Sequence, residues 1–386
     1  MHLAELLGRR SLPASAVFLA VTRRCPLHCG HCSTTSGTDG EEQPAALLRR
    51  FVETFTPADH PEFLLLTGGE PLLRPGLVRT LAGTARAAGT RSYLLSGMFF
   101  ARTGATPDPI RAALRSVDHV AASLDAFHER EVPREQVFRV LREVLDSGRD
   151  ASVQACGKGP DDPYLAELTE QVRAEFGDRV PMFVSTLRPV GRARAWLTAL
   201  DATRAPGGDP ARGTSDARAR GPRAAPCDLA AWPTVGFDGT VTACCNQDLL
   251  DQAPPPAHLT LGHIASTTWP EVRRRSQSRP VLRALRTRGP LQLAYRHGGS
   301  DQPDADYCGS CRALGDRPGT LAAVAAGAAG PTAELLEQQA VGLQLAAGAV
   351  GFARRHGDPT RAGLVLLGSG GGIAGQAAGQ AEGVPR

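Results

Sequence analysis

The sequence predicts an α/β protein whose main body is a partial (βα)6 parallel barrel, followed by a small β-hairpin domain and a helical, partly disordered tail. Three observations carry this expectation. Between residues 16 and 187, six short apolar or β-branched runs alternate with longer stretches of helical period. Each connection is long enough to hold a helix, as parallel neighbours require. Five cysteine-bearing or polar segments fall just past the ends of these runs, where a βα barrel keeps its working residues.

The expected strands are AVFLAVT (16 to 22), EFLLLTG (62 to 68), SYLLS (92 to 96), HVAASLD (119 to 125), ASVQAC (151 to 156) and VPMFVST (180 to 186). Helices are expected near 43 to 56, 76 to 88, 107 to 116, 133 to 147 and 163 to 176. Cys25 to Cys32 follow the first strand, GGEP (68 to 71) follows the second, and SLD (123 to 125) ends the fourth. Cys156 ends the fifth strand, and RPVGRA (188 to 193) follows the sixth.

This layout divides the chain into an N-terminal extension (1 to 15), the barrel (16 to 196), a linker rich in Ala, Arg, Gly, Asp and Pro (197 to 225), and a second cysteine-bearing region (226 to 318). Residues 319 to 386 read as one amphipathic helix at 332 to 356 and a Gly/Ala-rich tail expected to be disordered. The fifteen or so residues before the first strand are too few for a fused peptide-recognition domain at that end.

Composition narrows the class. A hydrophobic fraction of 42% and a charged fraction of 21% suit a soluble globular protein, and no apolar run is long enough for a membrane span. The opening MHLAELLGRRSLPAS lacks the basic start and apolar block of a signal peptide, so a cytoplasmic location is expected. A net charge of +4, with arginines scattered along the chain, gives no footprint for nucleic acid. Lys158 is the only lysine, a bias that a GC-rich genome explains. Nine cysteines without an export signal point to metal or thiol chemistry over disulfides.

The stretch CPLHCGHC places Cys25, Cys29 and Cys32 within eight residues. Four thiolates fill an iron–sulfur cube, whereas three leave one iron open. A zinc ion held by three thiolates and a water, or with His28 or His31 as the fourth ligand, is the competing reading, although Cys-x3-Cys-x2-Cys is not a usual zinc spacing.

With LTGGEP at residues 66 to 71, this loop resembles the CxxxCxxC signature of the radical S-adenosylmethionine (radical SAM) enzymes. The resemblance implies a [4Fe–4S] cluster on Cys25, Cys29 and Cys32, with S-adenosylmethionine on the open iron. It implies that Gly68, Gly69 and Glu70 hold the methionyl ammonium, the glycines by close backbone approach and Glu70 by its charge. It places Ser123 and Asp125 where members contact the ribose or methionyl carboxylate, and Arg188 to Ala193, including Gly191, where they line the adenine. A polar residue ending a strand or capping a helix is the plain alternative for each. His31 departs from the pattern, since members commonly carry there an aromatic residue that packs on the adenine.

In the second region, Cys227 precedes Gly239 by twelve residues, Cys244 follows it by five, and YCGSC supplies Cys308 and Cys311. This pattern resembles the twitch domain, the shortened form of the SPASM domain, and implies one auxiliary [4Fe–4S] cluster on those four cysteines. TVGFDGTVTACC reads as a hairpin with an Asp-Gly turn. A four-cysteine zinc site is the alternative, and Cys245 is an alternative to Cys244.

The resemblance implies reductive cleavage of S-adenosylmethionine, hydrogen-atom abstraction from a substrate, and a flavodoxin or ferredoxin-type reductant. Cys156 is a candidate hydrogen-atom donor and Lys158 a candidate base or carboxylate clamp. A buried core cysteine and an exposed loop lysine are the ordinary readings of the two. The expected substrate is a ribosomally made peptide or another natural product. The alternative is a small aminoglycoside-like molecule dehydrogenated with the auxiliary cluster as electron acceptor.

Overall fold

The computed structural model describes residues 1–203, 223–298, 306–316 and 318–369. A short helix α1 (Leu3–Gly8) precedes β1 (Ala16–Ala20). There follow α2 (Ala45–Val52), β2 (Phe63–Thr67), α3 (Pro75–Ala87), β3 (Arg91–Ser96), α4 (Asp108–Ser116) and β4 (His119–Ser123). The repeat ends with α5 (Arg134–Asp146), β5 (Asp150–Gly157), α6 (Pro163–Phe176), β6 (Met182–Thr186) and α7 (Ala193–Thr203). All six apolar runs therefore become strands, and they pair in parallel from β1 through β6.

Both faces of the strands are buried, which is why they read as apolar runs with little alternation. Outward residues such as Val17, Leu19, Leu64, Leu66, Leu94 and Val120 pack beneath the helices. Inward residues Ala16, Phe63, Leu65, Tyr93 and Ala121 form a second cluster inside the curved sheet.

The sheet does not stop at β1. Strand β7 (Thr234–Val235) pairs in parallel with the free edge of β1, Phe18 opposite Thr234, and β8 (Thr240–Thr242) and β9 (Thr260–His263) continue it antiparallel. The result is one nine-stranded sheet in the order β6-β5-β4-β3-β2-β1-β7-β8-β9. The expected hairpin is present, with Gly239 at φ +88° and the Thr240 amide donating to Asp238 Oδ1 at 2.9 Å. The hairpin is continuous with the barrel sheet, and its pairing with β1 covers an edge that would otherwise be open.

Two boundaries also differ. Helix α7 runs to Thr203, so a helix occupies the first residues of the expected linker, and 204–222 lie outside the described residues. The expected tail helix is found at Pro331–His356, preceded by a helix at Pro318–Ala326 that the sequence did not disclose. The longer helix breaks at Gly348 (φ 60°, ψ −161°), and beyond the break Ala349, Phe352 and Ala353 pack on Leu3, Leu6 and Trp232. Far from being an appendage, it closes the inner face of the sheet near the strand starts, and the Asp358 amide then donates to Val184 O at 2.8 Å. The disorder expected at 370–386 lies outside the described residues.

His119 opens β4 in full burial, hydrogen-bonded through its two ring nitrogens to Met1 O and Ser152 Oγ, each at 2.8 Å, and stacked on Tyr93. Burial pushes it down to about 4. Between that value and the ordinary 6.5, the unfolded chain binds the proton that the folded one refuses, so stability falls as pH drops through this window. The loss is at most about 3 kcal/mol. Urea unfolding at pH 7 and pH 4.5 should show this acid-side loss, and His119→Asn should flatten it.

Candidate functional site

The loop after β1 carries Cys25, Cys29 and Cys32, and besides its own turns it is held by neighbours from other strand ends. From the β2 end, the Gly69 amide donates to Thr22 O at 2.7 Å and the Glu70 amide to Arg24 O at 2.8 Å. From the β4 end, Glu131 Oε1 accepts from the His28 amide at 2.6 Å. From the β6 end, the Arg192 amide donates to Cys32 O at 3.0 Å and the Trp196 indole to Gly30 O at 2.9 Å.

Glycine is required at these contacts. A Cβ on Gly69 would stand 2.3 Å from Arg24 O, one on Gly68 (φ +138°) 2.3 Å from Thr22 O, and one on Gly191 (φ +53°) 2.3 Å from Cys32 O. The sequence reading assigned the close approach of Gly68 and Gly69 to a ligand. In the structure the approach is to the cysteine loop itself.

Glu70 also differs from expectation. Its carboxylate is fully buried and accepts from the Leu72 amide, the Ser96 hydroxyl and the Gly97 amide at 2.9 to 3.0 Å. Burial pushes the carboxyl up to about 7 against those donors. Its oxygens brace the β3 end, and the expected presentation of its charge to an ammonium is not what this conformation offers.

One cavity of about 470 Å³ gathers the remaining expected residues. Cys25, Cys29, Cys32, Gly68, Gly69, Ser123, Asp125, Cys156 and Arg188 all line it. Lys158 does not; it is exposed, and its backbone amide caps onto Asp162 Oδ2. Gly191 acts from behind through the contact described above. Cys156 is largely buried, which pushes its thiol up to about 12.

Sequence reasoning missed a charged knot beside the loop. Asp125 lies 3.1 Å from His31 Nε2 and 3.0 Å from His128 Nδ1, and it accepts from the Phe127 and His128 amides. Burial opposes its charge, yet the two imidazoles hold it well below the usual carboxylate range. Burial likewise opposes the His128 charge, but Asp125 and then Cys29 raise it to about 10. His31 stacks on Phe127 with centroids 4.5 Å apart, a protein partner in place of an adenine. The signal was available in DAFHERE directly after the expected strand end.

The three thiols of the first loop stand in unlike surroundings. Burial, followed by repulsion from Glu70 and the other two thiols, pushes Cys25 up to about 12. Burial opposes the Cys32 thiolate too, but Thr34, Ser36 and Arg192 hold it below the ordinary value. Among the described residues, the only group of three or more Cys, His, Asp or Glu ligand atoms all within 4.8 Å is His31, Asp125 and His128. A tetrahedral zinc with Zn–S near 2.3 Å needs its sulfurs about 3.8 Å apart, so neither cysteine set is drawn in that tightly. His31 Nδ1, inside the loop, is buried with no partner.

The late cysteines also converge. Burial raises Cys227 to about 11 and raises Cys244, Cys308 and Cys311 as well, and thiol–thiol repulsion links Cys227 with Cys308 and both Cys244 and Cys311 with the other late thiols. Cys245, one position along the chain, instead lines the barrel cavity and accepts a contact from Arg10 at 3.4 Å. Cys245 is also the thiol whose repulsion acts most strongly on Cys244.

Residues 19–172 match the family model described as the radical SAM superfamily. This stretch is a radical SAM domain. The pre-heme d1 synthase of Dinoroseobacter shibae is 39% identical over 118 residues, covering 30% of this chain and 28% of that protein. The chain therefore spans under a third of that curated relative. Among solved structures, Streptococcus suis SuiB bound to S-adenosylmethionine is similar at 13% identity and a TM-score of 0.45, covering 70% of this chain and 68% of that one. anSMEcpe with bound AdoMet and Cp18Cys peptide is similar at 12% identity and a TM-score of 0.46, with coverage of 86% and 98%. No described helix beside the radical SAM domain is long and apolar enough to cross a membrane.

The glycine contact within the radical SAM domain is open to test. Gly69→Ala should separate the 22–24 and 68–70 segments. Hydrogen exchange is expected to show sharply reduced protection of the amides at 69 and 70, with the β4 and β5 amides unaffected.

Proposed function

We propose that the chain is a radical SAM enzyme that cleaves S-adenosylmethionine reductively and removes a hydrogen atom from a substrate inside the barrel. The observation that carries this reading is the convergence of Cys25, Cys29 and Cys32 with the Gly68–Gly69 turn on one strand-end cavity within the matched segment. Cys25, Cys29 and Cys32 would hold a [4Fe–4S] cluster. With one iron free of protein ligands, such a cluster supplies the electron that splits S-adenosylmethionine into methionine and a 5'-deoxyadenosyl radical. The chain's own residues hold the first loop rigid, line the adenosyl end with Ser123, Arg188 and the segment around Gly191, and surround the reacting space with apolar walls that exclude water.

Cys227, Cys244, Cys308 and Cys311 would hold an auxiliary [4Fe–4S] cluster, and the contact of Cys245 with Arg10 at the barrel cavity supports that set. The domain division of the sequence reading stands as part of the proposal, amended so that 226–318 builds onto the barrel sheet. The reductant would be a flavodoxin or ferredoxin-type protein, and the location cytoplasmic. For the substrate, a peptide or another natural product is favoured over an aminoglycoside-like polycation. The lining presents Arg10, Arg188 and Arg192, and its one carboxylate, Asp125, is already paired with two histidines.

Anaerobic reconstitution followed by iron counting and assay of 5'-deoxyadenosine tests the reading. About eight irons per chain are expected from two cubane clusters. Cys29→Ala should abolish 5'-deoxyadenosine release. Cys244→Ala and Cys308→Ala should each lose about four irons while sparing cleavage, whereas Cys245→Ala should keep the full count. Release of 5'-deoxyadenosine by the Cys29 variant would defeat the proposal.

A further inference from the structure

Four arginines are buried among the described residues: Arg10, Arg134, Arg283 and Arg286. Three of them are neutralised. Arg134 pairs with Glu129 and Glu167, Arg283 with Glu334 and Glu337, and Arg286 with Glu337. Arg10, only 3% exposed, has no carboxylate within ion-pair distance among the described residues. Its guanidinium donates to the Asp228 carbonyl at 3.4 Å, a long contact for oxygen, and to the Cys245 sulfur at 3.4 Å, an ordinary contact for sulfur. The nearest acid in sequence to those partners, Asp228, gives its carboxylate to Arg355 and His356.

A buried cation without a counter-charge costs several kcal/mol, so a fold that retains one usually has a partner for it. Arg10 faces the cavity, in the part walled by Leu6, Phe18, Trp232 and Phe352. Its guanidinium lies over the Trp232 ring at 4.5 Å and the Phe18 ring at 5.5 Å, which fixes the plane of the fork. Such a fork offers parallel N–H donors that match one carboxylate. The single fork held over the Phe18 and Trp232 rings matches one planar carboxylate, while Arg188 and Arg192 also line the same cavity.

We infer that the barrel chamber binds a substrate with a largely apolar or aromatic body bearing a carboxylate, and that Arg10 receives that carboxylate. The inference deepens the proposed function by naming the substrate class of the same cavity, and it rests on that reading only for the reaction, not for the binding. Arg10 is a specificity-determining residue. The carboxylate pinned there holds the apolar body between the aromatic walls and the cysteine rim. The carboxylate belongs either to a free acid or to the C-terminus of a peptide ending in an aromatic residue, and both present the same group to the fork.

The test is calorimetric titration of the reconstituted protein with S-adenosylmethionine present and no reductant. The probes are 2-naphthylacetate and the isosteric neutral 2-naphthylacetamide, with Gly-Gly-Phe and its C-terminal amide as a peptide pair. At least tenfold tighter binding of the acid is expected in one pair or both, and which pair shows it identifies the source of the carboxylate. Arg10→Gln should remove the preference and Arg10→Lys should retain part of it. Equal affinities of acid and amide in both pairs, no saturable binding of either acid, or an unchanged preference in folded Arg10→Gln would overturn the inference. The wild-type comparison decides by itself should the variants fail to fold. Loss of acid preference alongside normal 5'-deoxyadenosine release ends this inference alone, whereas release by Cys29→Ala ends the radical reading and leaves the binding result standing.

Discussion

The site depends on one backbone contact: the turn after β2 lies directly against the start of the cysteine loop. Two amides, of Gly69 and Glu70, reach the carbonyls of Thr22 and Arg24, and there is no room for a Cβ on Gly68 or Gly69. The cysteine loop bonds partly within itself, the Arg23 amide to Glu41 O, the Cys25 amide to Gly37 O and the Cys32 amide to Cys29 O. The ends of β2, β4 and β6 then hold that loop in place from outside. Glycine at 68, 69 and 191 is thus a steric condition on the loop, and the charge and polarity of their neighbours act only after it is met.

The second consequence of this scaffold is that the two cysteine sets share a rigid frame. Because β7 pairs with β1 in register, Phe18 opposite Thr234, the segment that begins at Cys227 is tied to the strand that launches Cys25. Asp228, beside Cys227, is clamped by Arg355 and His356 from the helix that closes the inner face. A change in the C-terminal helix is therefore felt at Cys227 and at the chamber floor together, through part-buried ion pairs shorter than 3 Å on the buried Asp228 carboxylate.

The six strands, the five barrel helices between them, the hairpin turn and most of the strand-end cavity were legible in the sequence, because parallel strands buried on both faces give unbroken apolar runs and their C-terminal ends carry the polar exceptions. What was not legible is instructive. The fusion of β7 to β1 depends on pairing between residues more than two hundred positions apart, with only two residues in the strand, and no local pattern encodes it. The packing of Phe352 beneath the barrel was hidden because an Ala- and Gly-rich helix looks the same whether it faces water or a core. The direction of the Glu70 carboxylate was not legible, because sequence context fixes its charge while the Ser96 and Gly97 donors of a different strand end decide where it points.

Arg10 shows where sequence reading stops for a physical reason. In GRRSLPAS it is one of two adjacent arginines, and Arg9 beside it is ordinary surface, pairing with Glu62 at 3.5 Å. Only burial separates the two, and burial follows from α1 turning the chain so that position 10 faces inward over Phe18 and Trp232. Once inside, the residue's meaning comes from what is missing around it, set against three other buried arginines that each have an acid within reach. Charge balance in a low-dielectric interior is a property of the folded ensemble of neighbours, and it becomes visible when the partners of every buried charge are traced. One lining holds the apolar walls, Arg10 and the cysteine rim, so the inferred carboxylate contact and the proposed chemistry would share a single cavity.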